Sequence, residues 1–310
     1  MFTSLSCGAN ACRIKVGGLA CPLVDPLAII LVATAAVCHA VWNLYAKRAA
    51  DGGSVFVWLN SCVTTVAYLP VVVFLVVTSP PAWTWTLLIA VIVTGILHLG
   101  YTVVLQRGYQ HGDMSVVYPL ARGTGPALSV TFAILVFGER PGLLGMLGAV
   151  AVVGGILVIG LGRSASGRLS AGVAYGLATG CLIASYTVWD AWAVGPLAIS
   201  PILYEWGSTV TRSLLLTPHA VRHRSDIRRV WRDYRVPVFV VALIAPAAYV
   251  LVLFAYRYAP VSLVAPAREL SIVIASVFAW LLLREPQAGR RITGAVVVLL
   301  GVAALAFTRG

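Results

Sequence analysis

The second half of the chain repeats the first. The stretch Ser115-Val-Val-Tyr-Pro119-Leu-Ala-Arg122 returns as Ser262-Leu-Val-Ala-Pro266-Ala-Arg268. Ser115 onto Ser262 and Pro119 onto Pro266 are both shifts of 147 residues. Past a one-residue deletion the shift is 146, and it carries Arg122 onto Arg268, Glu139 onto Glu285, Gly148 onto Gly294 and Gly155 onto Gly301. Each copy is apolar and holds an arginine at the same place inside a hydrophobic segment. Many secondary transporters are built from such duplicated halves, and their binding sites lie near the bilayer midplane where the repeats meet.

The apolar residues come in long runs that neither helix nor strand period breaks up. Sixty per cent of the chain is hydrophobic and 10% is charged, with a mean hydropathy of +0.94; soluble domains average about 25% charged residues. A spanning helix needs roughly 20 apolar residues to cross about 30 Å of hydrocarbon. Within lipid the backbone must satisfy its own hydrogen bonds, which leaves helices or a closed barrel, and barrel strands would alternate in polarity. The fold expected is an all-α membrane protein.

Ten spans are predicted, over residues 26–47, 54–78, 84–106, 114–137, 142–162, 169–190, 197–217, 236–257, 261–283 and 290–308. Asp25-Pro26 opens the first, an acceptor at the N-cap followed by proline in the first turn. Pro80-Pro81 and Gly138-Glu-Arg-Pro141 separate later ones, and Arg163–Arg168 links the halves. The domains expected are a first five-helix repeat at 26–162 and a second at 169–308. Five is odd, so the second half enters the membrane from the opposite side and the repeats are inverted, an arrangement that supports alternating access. Residues 1–25 stand outside this pattern and read as a disordered extension or an early start; their apolar stretch is too short and broken for a signal peptide.

Several functions are disfavoured. Cys7, Cys12, Cys21, Cys38, Cys62 and Cys181 show neither CxxC nor Cys/His metal spacing, so no disulfide, metal or cofactor is inferred. The glycines of the fifth and tenth spans suit close helix packing, since a phosphate-binding loop needs a preceding strand and surrounding water. Net charge is +12, but Arg222, Arg224, Arg228, Arg229, Arg232 and Arg235 crowd one loop between two spans. That reads as an anchor on anionic lipid headgroups, not as a nucleic-acid surface. The expected partners are membrane lipids and a small-molecule substrate; the sequence carries no signal for oligomeric state.

The chain resembles the EamA family of the drug/metabolite transporter superfamily. His39-Ala-Val-Trp-Asn43-Leu-Tyr-Ala-Lys47 is similar to the polar motif of that family's first helix. Phe137-Gly-Glu-Arg-Pro141 and Leu283-Arg-Glu-Pro286 are similar to its two helix-end glutamates. Tyr118-Pro-Leu-Ala-Arg-Gly-Thr-Gly-Pro126 resembles a subgroup associated with phosphonate utilisation. The resemblance covers about residues 26–308. It implies transport of a small metabolite across the plasma membrane by alternating access, often coupled to ions. The competing classes fit less well. A membrane enzyme acting on a lipid-linked substrate would want clustered acids, His or Lys at one face, and a channel would want rings of like charge.

The polar residues within the spans define the candidate site. Burying Arg122 or Arg268 costs about 2.5–3.5 kcal/mol even on a lenient insertion scale. Either each pairs with a carboxylate such as Glu205 or Glu269, or both face a central cavity and hold an anionic group with their planar forks. His39, Asn43 and Lys47 share one helix face, which either glues helices together or lines the path. His98, Tyr101, Thr102, Gln106 and Tyr109 repeat the idea on the third span. The substrate-lining set expected is Arg122, Arg268, Tyr118, His39, Trp42, Asn43, His98, Tyr101 and Tyr256. Glu205 is the candidate proton-coupling acid, with a salt bridge to Arg268 or Arg212 as the alternative. Glu139 and Glu285 read as gate-closing or packing residues.

Orientation is contested by charge. With the N-terminus inside, the inward segments carry 5 basic residues and the outward ones 15. Family resemblance implies cytoplasmic termini, whereas the positive-inside rule implies the reverse. An even span number places both ends on one side under either reading. Reporter fusions to the two ends should therefore report the same compartment; opposite compartments would overturn the ten-span count.

Overall fold

The structure is a computed structural model, and it describes residues 25–111, 114–160, 169–274 and 288–307. The N-terminal extension therefore lies outside the described residues. The helices are α1 (Pro26–Arg48), α2 (Gly53–Thr78), α3 (Trp85–His111), α4 (Met114–Phe137), α5 (Gly142–Gly160), α6 (Leu169–Val194), α7 (Pro201–Arg222), α8 (Arg224–Ala255), α9 (Val261–Ala267) and α10 (Ala288–Ala306). No strand occurs among the described residues. Local chemistry sets several ends. The Asp25 carboxylate accepts a hydrogen bond from the Leu27 N–H at 2.8 Å, capping α1. Gly138 and Gly142 take φ of +67° and +66° around Glu139-Arg-Pro141, a left-handed conformation that favours glycine.

Among the described residues, six helices are long and apolar enough to cross a membrane: α1, α2, α3, α4, α6 and α8. Helices α5 and α10 are apolar but shorter. Helix α7 falls below the others in hydropathy because it carries Glu205 and Arg212 among several Ser and Thr residues. The outer surface is studded with large apolar side chains such as Phe74, Val77, Leu135, Leu143 and Leu300, while Asp190, Glu269, Thr94 and Ser208 are fully buried. Apolar outside and polar inside is the reverse of a soluble domain and is what a lipid solvent selects. The protein is a multi-pass membrane protein.

Two expectations change in detail. The arginine-rich stretch expected as a loop is helical: α8 starts at Arg224 and runs to Ala255, bending where Tyr234 leaves helical geometry (φ −127°, ψ 21°). Its first part buries Val230 and keeps Arg228, Arg229 and Arg232 exposed. The ninth segment is also not one continuous helix. Helix α9 stops at Ala267, and the Arg268–Glu269 turn follows, with Glu269 N–H bonding back to the Pro266 carbonyl at 3.0 Å. Helix resumes at residues 270–274, and the rest of that expected span lies outside the described residues.

The packing follows the repeat. Helix α1 packs along α8, and the repeat-equivalent α3 packs along α6. Helix α5 packs along its own equivalent, α10, through a glycine seam. A Cβ at Gly148 would stand 2.9 Å from the Gly301 carbonyl oxygen, and one at Gly155 would stand 2.8 Å from that of Gly294. Exchanging the repeats turns the first contact into the second, so the seam maps onto itself. Two inverted repeats related by a pseudo-two-fold axis fit this pairing.

The seam makes a stability prediction. Gly155→Val drives carbon into the Gly294 carbonyl, and Gly148→Leu does the same at Gly301. Each should cost about 1–3 kcal/mol, the range for overpacking, and lower the melting temperature in detergent. Gly154, where a Cβ meets nothing within 4 Å, is the control. Gly154→Ala should be neutral or slightly stabilising, and equal losses at 154 and 155 would remove the seam as the cause.

Candidate functional site

The centre of the bundle is built from the first, third and fourth helices of each half. Arg122 on α4 reaches across the repeat boundary. Its Nη1 donates to Glu269 Oε2 at 3.2 Å and to Oε1 at 3.5 Å. Glu269 sits on the turn after α9 and is fully buried. Arg268, one residue earlier, is 4% exposed, and its Nε stands 3.7 Å from Glu269 Oε1. That nitrogen makes no hydrogen bond. Two guanidiniums therefore share one carboxylate. Both lie over tyrosine rings, Arg122 5.6 Å from the Tyr118 centroid and Arg268 5.9 Å from that of Tyr186. Cation–π attraction of this kind contributes about 0.5–2 kcal/mol, depending on desolvation.

The repeat explains the imbalance. The 146-residue shift that pairs Arg122 with Arg268 pairs Gly123 with Glu269, so only the second half supplies an acid there. The 147-residue shift pairs Tyr118 with Ala265, so only the first half supplies that ring.

An aromatic floor extends from the arginines towards α3. His98 stacks on Tyr186 at 4.2 Å, and Tyr101 meets the same ring edge-on at 5.9 Å. Tyr249 stands edge-on to His98 at 5.2 Å. Tyr256, buried at the end of α8, leaves its hydroxyl without a hydrogen-bond partner. On α1, Trp42 Nε1 donates to His39 Nδ1 at 2.9 Å, and Asn43 Nδ2 donates to the His39 carbonyl at 2.7 Å. His39 lies within electrostatic reach of Arg122 and Arg268, and its Nε2 is buried without a partner. Trp42 packs towards the apolar cluster of Phe56, Leu59 and Val241. Its ring thus braces α1 against α2 and α8 while its nitrogen orients His39.

Glu205 and Glu139 hold structural partners. Arg212 Nη2 donates to Glu205 Oε1 at 2.8 Å, and the Thr209 hydroxyl donates to the same oxygen at 3.3 Å. Arg212 is one of the two salt-bridge partners the sequence allowed. Glu139, at the end of α4, accepts the Val261 and Ser262 N–H groups at 2.9 Å each, tying one repeat to the start of α9 in the other. Glu285 lies outside the described residues.

One acid escaped the sequence reading. Asp190 on α6 is fully buried, with Tyr204 Oη donating to Oδ1 at 2.7 Å and Tyr249 Oη donating to Oδ2. The signal was available: the 147-residue shift carries Val41-Trp42-Asn43 onto Val188-Trp189-Asp190 and His39 onto Tyr186. The polar motif of the first helix thus has a counterpart on the sixth.

The Glu205–Arg212 pair yields a test. Glu205→Gln leaves a largely buried guanidinium without its carboxylate. Breaking a buried pair costs about 3–5 kcal/mol, and the 21% exposure of Arg212 points to the lower end. Glu205→Gln combined with Arg212→Gln should recover most of the lost melting temperature. A single variant as stable as wild type would show that the pair does not hold the fold.

Comparison with known proteins agrees with this architecture. A solved structure described only as a crystal structure of a protein superposes with a TM-score of 0.71, covering 89% of this chain and 95% of its own, at 15% identity. At that identity the likeness concerns the fold alone. No curated protein matches the sequence. The model of the EamA-like transporter family matches residues 26–161 and 170–307, one match in each half. With both halves of the bundle matched, the chain belongs to the EamA-like transporter family.

Proposed function

We infer that this protein is a plasma-membrane secondary carrier, not an enzyme, that moves a small anionic or zwitterionic metabolite by alternating access with proton coupling. The observation that carries the reading is the charge imbalance at the centre. Arg122 and Arg268 face a single carboxylate, and the Arg268 Nε is buried with no hydrogen bond. A buried donor without an acceptor costs about 1–3 kcal/mol, more when charged, and an incoming oxyanion supplies the missing acceptor. Arginine suits that task because its fork binds carboxylate, phosphate or phosphonate bidentately and keeps its charge when dehydrated.

The surrounding groups divide the remaining work. Tyr118 and Tyr186 back the two guanidiniums, and the free hydroxyl of Tyr256 offers a donor. His39, held by Trp42 and Asn43, presents an unpartnered Nε2 that can bond a second polar group of a zwitterion. His98 and Tyr101 continue the aromatic floor. The resemblance of Tyr118–Pro126 to transporters associated with phosphonate utilisation makes phosphonates the first substrates to try.

Unequal packing of the repeats supports alternating access. Helix α4 lies along α6, whereas their equivalents, α9 and α1, barely touch among the described residues. An apolar cleft opens there, lined by Ala28, Ile29, Val32, Val264, Ala267 and Leu270. In this reading α5, α7, α10 and the segment that begins with α9 complete ten spans, and the repeats at 26–162 and 169–308 exchange their packing. Glu139 then acts as a clasp on the closed side.

The test is ligand-induced thermal stabilisation of the purified protein across anionic, zwitterionic and cationic metabolites, 2-aminoethylphosphonate and methylphosphonate included. Anions or zwitterions should stabilise the wild type. Arg268→Lys keeps the charge without the fork and should weaken the response; Arg268→Ala should cost about 2–5 kcal/mol of binding, as when one partner of a buried charge pair is truncated. Preference for a cation, or an unchanged response in the alanine variant, would sink the anion site.

A further inference from the structure

Three acids lie deep in the bundle among the described residues, and their partners differ in kind. Glu269 is bound by Arg122, and Glu205 by Arg212. A guanidinium stays charged under all working conditions, so these two carboxylates have a permanent reason to stay ionised. Asp190 touches neither arginine nor lysine. Its partners are the hydroxyls of Tyr204 and Tyr249 and the imidazole of His98, whose Nε2 stands 4.0 Å from Oδ2. Alone of the three, it faces a cation partner that can itself lose its charge.

The other ring nitrogen of His98 sharpens the point. Nδ1 lies 3.0 Å from the Thr94 carbonyl oxygen, one helical turn back on α3. A carbonyl only accepts, so the tautomer with its proton on Nδ1 is the one that makes this bond, with the Thr94 hydroxyl 3.1 Å from the same nitrogen. Nε2 then either carries a second proton towards Asp190 or turns a lone pair towards a carboxylate oxygen. Both oxygens of that carboxylate already accept tyrosine hydrogens, so the ionised form is solvated without water. One proton more, placed on Nε2 or on Oδ2, turns two facing acceptors into a donor and an acceptor. The site is thus built for two protonation states one proton apart.

We propose that the Asp190–His98 pair is the proton-binding site of this carrier and that it is linked to the arginine site through Tyr186. The proposal rests on the anion-carrier reading for its coupling but not for the site. The link is physical: His98 stacks on one region of Tyr186 while the Arg268 guanidinium lies over the same ring. With the proton absent the pair bears one negative charge; with it bound the pair is neutral. The negative pair opposes an anion at Arg268, and the neutral pair does not. Proton and anion therefore bind cooperatively, and linkage makes the effect reciprocal. The carrier is a symporter of the two.

The surroundings allow this assignment. Around Asp190 and His98 the charged groups are Arg122, Arg268 and Glu269 at α4 and α9; His111 of α3 stacks on Tyr175 near the start of α6, and Arg257 bonds the Val194 carbonyl at its end. Tyr204 and Glu205 lie on α7, and Tyr249 and Tyr256 on α8. Arg212 and Arg268 are the cations within electrostatic reach of His98, and Glu205 is the anion within reach of Asp190. Apart from His98 and His39, whose Nδ1 accepts the Trp42 N–H beside Arg122 and Arg268, the cations are arginines, and Glu205 and Glu269 are neutralised by arginine. The exchangeable proton is left to the pair. The repeat supplies a natural reference for its removal, because the position equivalent to Asp190 in the first half is Asn43. An amide at that place is compatible with the helix, so Asp190→Asn is a conservative exchange that keeps size and loses the proton.

Two measurements on purified full-length protein decide the matter. Infrared difference spectroscopy on acidification between about pH 8 and 5 needs no substrate. It should show, in wild type and in Glu205→Gln, one carboxylic-acid carbonyl band or imidazolium band that is missing from Asp190→Asn, while the bands of the other four histidines are common to all three proteins. His98→Gln should move the midpoint of any Asp190 band, and this variant still reports if Asp190→Asn fails to fold. The second measurement is the affinity for 2-aminoethylphosphonate, or for the best anion of the stabilisation screen, against pH. Wild-type affinity should rise on the order of tenfold as pH falls, with proton uptake on binding. Asp190→Asn should lose this extra pH dependence and this proton, keeping only what the phosphonate's own ionisation, common to both proteins, imposes. Bands unchanged in Asp190→Asn, or bands lost in Glu205→Gln but kept in Asp190→Asn, would overturn the proton site. If the bands behave as expected but no anion binds wild type, the site stands and the anion reading fails.

Discussion

A guanidinium inside a bilayer needs a carboxylate, and the centre of this protein places two guanidiniums against one. Glu269 neutralises Arg122 at hydrogen-bond distance and approaches Arg268 only to 3.7 Å. In a medium of low dielectric this arrangement holds the two repeats together and leaves Arg268 without a hydrogen-bonded counter-ion among the described residues. In the proposed anion site, the same ion pair that crosses the repeat boundary is also what calls for an anion. Its position on a turn between α9 and residues 270–274 matters, because a broken helix leaves backbone and side chains of Arg268 and Glu269 facing the centre instead of following a regular helical face. Irregular backbone at membrane depth is tolerated where it lines a cavity.

Around that pair the two halves share their scaffold and differ in their chemistry. The α5–α10 seam is glycine against glycine and maps onto itself when the repeats are exchanged, as packing between rigid bodies should. The site does not map onto itself. Gly123 stands where the second half has Glu269, Tyr118 where it has Ala265, Asn43 where it has Asp190, and His39 where it has Tyr186. Duplication supplies the matched packing surfaces that the proposed alternating access would exchange. Substitution of one copy explains how that frame holds charges that a symmetric site would have to double.

The fold was legible to the extent that periodic physics wrote it. Hydrocarbon thickness fixes span length, so the long apolar helices α1 to α4 were readable to within a few residues. Helix α7 is legible as the apolar run at 197–217, although the buried Glu205–Arg212 pair lowers its hydropathy. The amphipathic start of α8 was taken for a loop, since arginines at a membrane surface look alike whether helical or not; Val230 among them, buried against α2, is the residue that reveals the turn of helix. The arginines were conspicuous because lone charges in apolar runs are. Asp190 was not, because it lies in the aromatic stretch Tyr186–Trp192 and its partners come from α3, α7 and α8, far away in sequence. No local pattern contains that cluster, although the repeat register did contain its first-half counterpart.

In the proposed cycle the distribution of acids matches what each would have to do during transport. Glu139 bonds two backbone N–H groups at the start of α9, and such a contact can be broken and replaced by water once the interface opens. Glu205 and Glu269 are bound by arginine within the bundle, where separation would leave two bare charges in lipid, so these pairs should travel intact. Asp190 differs from both: it is buried like the second group yet bound by groups that can exchange a proton. A carrier that must return empty through the same bilayer has to dispose of the positive charge that attracted its substrate. A carboxylate that is negative when the site is empty and neutral when it is loaded offsets that charge in the empty state. Loading and unloading then change the net charge at the centre less than the anion alone would. Among the described residues, the acid proposed for this task lies one aromatic ring, Tyr186, away from Arg268.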